Sequence, residues 1–154
     1  MSDGVSIVSG TFHLGRIEVS RHEREDRRCD PRVLALFDHL NMFESPAWVV
    51  FEDVEFSTYT LQTQMWASLR AIMWLWARSR KSRVECCPVT TLKKFATGHG
   101  GATKNMMMAA IPKVYPADFQ LDAKGKLRDR HKRKVSDDEA DALHLLRWMT
   151  TRFN

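Results

Sequence analysis

Residues 47–54 read Ala-Trp-Val-Val-Phe-Glu-Asp-Val, an apolar run that closes on acids. Branched and aromatic side chains fit the pleated surface of a strand. An uninterrupted apolar run also suits a central strand covered on both faces. A strand is therefore expected over Ala47–Val54, with Glu52 near its carboxyl end. In open α/β sheets ligands gather beyond the carboxyl ends of strands, which makes Glu52 a candidate functional residue. The plainer reading is a strand that runs into water and ends in acids, since Asp53 and Glu55 are close by.

Upstream of this strand, Val5 to Leu14 (VSIVSGTFHL) is β-rich and partly alternating, which predicts another strand. Arg16 to Asp30 is dense in both charge signs and reads as a solvated edge or loop. Pro31 suits the first turn of a helix, with Asp30 as its cap. Val33, Leu36, Phe37, Leu40 and Phe43 give that helix its apolar stripe, and Ser45-Pro46 breaks it.

Downstream, a long helix is expected over Leu61–Arg80, with Leu61, Met65, Leu69, Ile72, Met73 and Trp76 on one face. Trp66 and Trp74 widen that stripe, so the helix is either deeply buried or contacts a partner. Val84 to Val89 predicts a second strand, with Cys86 and Cys87 on opposite faces. A short helix over Thr90–Thr97 follows, then a loop over Gly98–Gly101 and a helix over Ala102–Ile111 that Pro112 stops. Residues 113–135 are polar and basic and are expected to form a flexible loop. The last helix runs from Asp137 to about Arg152, with Ala140, Leu143, Leu146 and Trp148 in the core. This order argues an α/β fold in one domain, 1–154.

The 154 residues are 44% hydrophobic and 28% charged, an ordinary globular balance with room for a core. Lys and Arg number 24 against 19 Asp and Glu, a formal charge of +5 that permits a nucleic-acid partner without requiring one. The excess is concentrated in Lys124 to Lys134 (KGKLRDRHKRK), where Asp129 is the one acid. Three cysteines without Cys-x-x-Cys spacing read as reduced thiols of a cytosolic protein. The opening Met1-Ser2-Asp3-Gly4 leads into no signal-peptide pattern. The most apolar segment, Met65 to Ala77, contains Ser68 and Arg70 and is too short to span a bilayer.

The acids of the last helix are further candidates. Asp138 and Asp141, three apart, share a helical face. Ser136 with Glu139 forms a capping box, and first-turn acids are favoured by the helix dipole. Those local effects account for Asp137, Asp138 and Glu139, but less well for Asp141, which lies beyond the first turn among Ala140, Ala142 and Leu143. Phosphodiester hydrolysis by divalent ions needs several converging carboxylates, and oxygen ligands suit Mg²⁺ or Mn²⁺. Lys93 and Lys94 are either a solvated helix face or phosphate contacts. Gly98-His99-Gly100-Gly101 ahead of a helix could hold a phosphate on backbone amides, with Lys104 adding charge. The six histidines show no ligand spacing.

Together, VVFEDV (49–54), VECCPVTTLKKFATGHGGATKNMM (84–107) and SDDEADALHLL (136–146) resemble the RuvC-type Holliday junction resolvases, especially the compact phage and prophage forms. The likeness runs in order over about residues 5–150. It implies a ribonuclease H-like mixed sheet flanked by helices. It also implies Glu52, Asp138 and Asp141 as catalytic acids holding Mg²⁺ (or Mn²⁺), Lys104 near the scissile phosphate, and Lys93 and Lys94 as further DNA contacts. The implied activity is Mg²⁺-dependent nicking of branched double-stranded DNA by a homodimer in the host cytoplasm, away from membranes.

The family also opens with a central strand whose Asp lies in an Asp-x-Gly turn. Asp3-Gly4 matches a later hairpin turn better, so Asp3 is not assigned that role. The sheet is thus expected to lack its first central strand and one metal-binding acid, with weak or absent activity. A coding start set too late is the preferred explanation, over a decayed relic or a segment supplied by a second subunit. The rival readings are a RuvC-like nucleic-acid-binding module without chemistry, a fragment of a transposase or recombinase, and a plain α/β domain.

Overall fold

In the computed structural model, which describes residues 7–14, 30–53 and 60–153, helix α1 (Pro31–Leu40) starts as its sequence dictates. Asp30 accepts the Arg32 backbone N–H at 3.0 Å and grips the Arg32 guanidinium at 3.0 and 2.8 Å, while Pro31 occupies the first turn. The helix closes on Asn41, whose N–H returns to the Phe37 carbonyl at 3.1 Å. It therefore ends before Ser45-Pro46, and Phe43 lies beyond it, 53% exposed, rather than in its apolar stripe. The expectations for Asp3 and for the charged stretch before Cys29, with Cys29 itself, fall outside the described residues.

The chain divides into two compact units, His13–Cys86 and Met1–Phe12 with Cys87–Asn154. In the first, strand β1 (Trp48–Asp53) pairs with β2 (Arg83–Pro88) in a two-stranded sheet. Val49 and Phe51 are buried while Trp48 and Val50 are half-buried, so β1 has one dominant inner face instead of two covered ones. Helix α2 (Thr60–Ser79) buries Trp76 and Ala77 with Val49, flanked by Leu40, Met73 and Val84. The Trp76 indole donates to the Asn41 side chain at 3.1 Å, tying α2 to the end of α1. Trp66, Trp74 and Leu75 stay exposed, so that face of α2 is not deeply buried. Cys87 is buried and Cys86 half-buried, in keeping with their opposite directions from the strand.

The second unit is built on three helices, α3 (Val89–Thr97), α4 (Lys104–Val114) and α5 (Asp137–Phe153). Gly98 closes α3 at φ +83°, a left-handed conformation that glycine adopts without a Cβ penalty. Thr103 caps α4, two residues later than Ala102 would have it. Pro112 lies inside α4 instead of stopping it. Proline removes a single N–H donor there, in the last turn, and Tyr115 closes the helix by donating to the Ile111 carbonyl at 2.9 Å.

The expected flexible loop over 113–135 is instead an antiparallel hairpin of β3 (Phe119–Leu121) and β4 (Leu127–Asp129), in the register Phe119↔Asp129 and Leu121↔Leu127. Its few apolar residues decide this. Phe119, Leu127 and Val135 enter one core with Ile111, Ala140 and Leu143, and that burial supplies the ordering energy the charged residues lack. Asp122 holds one turn through the N–H groups of Lys124 and Lys126, both at 2.9 Å. Asp129 holds the next through those of His131 and Arg133 at 2.9 and 2.8 Å.

Residues 7–14 form no strand. Ile7 packs on the hairpin core, and the Thr11 hydroxyl lies 2.9 Å from that of Ser136, so side-chain partners replace a sheet edge. Within α5, Leu146 is 37% exposed, not core. His144 and Leu145 are buried instead. The α/β class is as the sequence implies, and the strands among the described residues form two small sheets.

Candidate active site

Helix α5 begins Asp137-Asp138-Glu139-Ala140-Asp141, and the four acids divide by environment. Ser136 caps the helix by accepting the Glu139 N–H at 3.1 Å. The reciprocal half of the capping box is not made by folding Glu139 back, because its buried carboxylate is taken by Arg133 at 2.6 and 2.9 Å. Asp138 is exposed and Asp141 half-buried one turn on. Asp137, which the sequence explains as a dipole-favoured first-turn acid, pairs with Lys104 from the start of α4.

Four of the six sequence-derived site residues therefore converge within this unit. The Lys104 ammonium is held above its ordinary pKa, first by its hydrogen bond to Asp137 and then by the fields of Asp137, Asp138 and Asp141. Asp137 is lowered in return, chiefly by Lys104. The Asp141 carboxyl is pushed up by burial, then by Asp137 and Asp138, with Lys104 and Lys93 pulling the other way. A mixed cluster results: three carboxylates and two ammonium groups from α3, α4 and α5.

Lys94 is exposed on α3. Glu52 is half-buried near the end of β1 in the other unit, next to Asp53, which pairs with Arg70 of α2. The glycine loop is not an open phosphate cradle. The N–H of His99 goes to the Thr97 hydroxyl at 3.2 Å, that of Gly101 to the His99 ring at 3.2 Å, and that of Ala102 to the His99 carbonyl at 3.1 Å.

Two features escaped the sequence. Asp137 works as a partner of Lys104, a pairing 33 residues apart that no local pattern could reveal. His144 is fully buried with Nε2 2.9 Å from the Met107 carbonyl and Nδ1 without a partner among the described residues. Burial holds its pKa down, so a neutral ring pins α5 to α4.

The fit to a hard cation is partial. Asp138 and Asp141 offer the oxygen donors such ions prefer. Among the described residues, however, no three His, Cys, Asp or Glu side chains are grouped to hold a metal. The α5 acids alone are an incomplete ligand set.

Crowding has a measurable consequence. A carboxyl whose folded pKa lies above its unfolded value favours the native state at low pH, and that stabilisation disappears as pH rises through the folded pKa. Asp141→Asn removes this penalty and is expected to raise stability at neutral pH by about 0.5–1 kcal/mol, a gain of the kind seen when a functional site is disarmed. Thermal melting at pH 7 and pH 4 checks it: the gain over the unaltered protein should shrink at the lower pH.

No model of a known protein family and no curated protein matches the sequence. Among solved structures, the chain is similar to Thermus thermophilus RuvC, with a TM-score of 0.56 at 17% sequence identity over 84% of this chain and 69% of that one. None of the described helices is long and apolar enough to cross a membrane. At this identity the likeness speaks to architecture, and the chain has a RuvC-like α/β fold.

Proposed function

We propose that the protein is a structure-specific DNA endonuclease that nicks Holliday or other branched double-stranded DNA by Mg²⁺-dependent phosphodiester hydrolysis, with Mn²⁺ as an alternative ion. The observation behind this reading is that Lys104 pairs with Asp137 and lies in the fields of Asp138 and Asp141, with Lys93 acting on Asp141. Acids that could hold hard cations stand beside ammonium groups that could hold the phosphate to be cut.

In this reading Glu52, Asp138 and Asp141 are the acids that hold the metal. Divalent ions in such sites supply an activated water and neutralise charge on the departing oxygen. Lys104 and Lys93 steady the non-bridging phosphate oxygens, and Lys94 contacts the backbone farther out. The protein works as a homodimer that cuts two strands symmetrically, in the cytoplasm of a bacterial host and from a phage or prophage gene.

The second reading is a RuvC-like module that binds nucleic acid without cutting it, favoured by the incomplete ligand set among the described residues. Incubating the purified protein with a labelled four-way junction and a linear duplex, with Mg²⁺ or with chelator, separates the two. The nuclease reading expects products from the junction in Mg²⁺ only. Junction binding that weakens steeply with salt, without products in either metal, establishes the binding module instead.

A further inference from the structure

The most basic part of the chain is a built element, and its acids are already spent on building it. Asp122 accepts Arg128 at 2.9 Å together with two backbone N–H groups. Asp129 accepts Arg133 at 3.0 Å together with two more. Arg133 is further engaged by Glu139. What remains on the β3–β4 hairpin and the turn after it is a set of exposed cations: Lys124, Lys126, Arg130, Lys132 and Lys134. None of these five makes an ion pair among the described residues.

Two of them, Lys126 and Lys134, line a cavity of about 290 Å³ together with Lys104 and Asn105 of α4, the capping Ser136 and Asp137 at the start of α5. Three lysines, an asparagine and a serine thus line the recess together with the apolar Met108, Leu127 and Val135, and its single carboxylate is already paired with Lys104. The charge left unpaired there is that of Lys126 and Lys134, which suits an anionic oxygen cluster.

We propose that this recess seats a backbone phosphate of a nucleic-acid strand, and that the hairpin cations carry the strand away from the α5 acids. The identity of the ligand rests on the nuclease reading, because Lys104 and Asp137 belong both to this recess and to the acid cluster. Seated there, a phosphate would put the chain's strongest run of positive charge to use, with the hairpin already ordered before binding. A preorganised cation set gives up less side-chain freedom when the strand arrives.

The experiment is the salt dependence of binding of a fluorescein-labelled four-way junction, followed by anisotropy in EDTA so that cutting plays no part. In Lys126→Gln/Lys134→Gln the backbone bonds of both turns remain and no core residue changes. A charge-matched control, Arg78→Gln/Lys113→Gln, removes two exposed cations elsewhere. The hairpin variant is expected to lose about tenfold in affinity near 0.1 M salt and about one from the log–log salt slope, for the one phosphate the recess seats, while the control keeps its slope.

Equal slopes for the hairpin variant and the unaltered protein overturn the inference, whether or not the protein cuts DNA. So does an unaltered protein that fails to bind the junction at low salt, including one that binds only anionic vesicles. Hairpin-dependent binding without cleavage leaves the inference standing and removes the nuclease reading.

Discussion

Asp138→Asn is expected to reduce metal-dependent cleavage of a four-way junction by about 10³-fold, or to below detection, while junction binding survives. Losses of this order accompany removal of one group that stabilises charge at a reaction centre. The exchange changes one oxygen to nitrogen on an exposed side chain, so folding should be intact. Binding should hold or tighten, because one negative charge leaves the neighbourhood of Lys104, whose ammonium feels Asp138 directly. Glu52→Gln is expected to behave in the same way from the other unit. Unchanged nicking by purified Asp138→Asn protein removes the α5 acids from the chemistry. A readout without turnover adds a second check: Mn²⁺ should raise the melting temperature of the unaltered protein, by binding to its native state, more than that of either variant.

Glu139→Gln is expected to cost about 2–3 kcal/mol of stability. Glu139 is 2% exposed, and its two oxygens each meet a different nitrogen of the Arg133 guanidinium. Removing one partner of a buried pair typically costs about 3–5 kcal/mol. The lower figure applies because the Arg133 side chain is 44% exposed and keeps Asp129 as a second partner. In a domain of this size the loss corresponds to roughly 5–10 °C in melting temperature.

The effect carries a pH signature. Arg133 holds the Glu139 carboxyl below the usual range, against the opposing effect of burial. A depressed folded-state pKa contributes stability above the unfolded carboxylate pKa, and that contribution is lost as pH falls through the folded value. The gap between unaltered protein and variant in chemical denaturation should therefore be full at pH 7 and narrow progressively below about pH 4. A constant gap from pH 7 to pH 3 would falsify the ion-pair account.

How much was legible in residue order follows from the range of the forces involved. The Asp30 cap with Pro31, the Gly98 stop and the Ser136 cap were readable because each is settled within about four residues. The hairpin was not. Seven cations in eleven residues read as a solvated loop, and only the burial of Phe119, Leu127 and Val135 against Ile111 and Leu143 makes it a fold element. Pro112 misled for the opposite reason: a rule about single lost hydrogen bonds cannot say whether the helix has a turn left to lose. The strand expected near the N-terminus failed because a β-rich composition creates no pairing edge, and Ile7 and Thr11 found side-chain partners instead.

Local order along the chain was sufficient for the helix that starts at Pro31, the existence though not the start of α4, the β1 and β2 segments, and the chemical character of Asp138 and Asp141, since capping, periodicity and charge act between near neighbours. Folding in three dimensions was needed to pair Lys104 with Asp137, to set Lys93 in the field of Asp141, to bury Glu139 on Arg133 and to gather three lysines around one recess. Electrostatic energy depends on separation in space and on exclusion of water, and neither is a property of sequence distance.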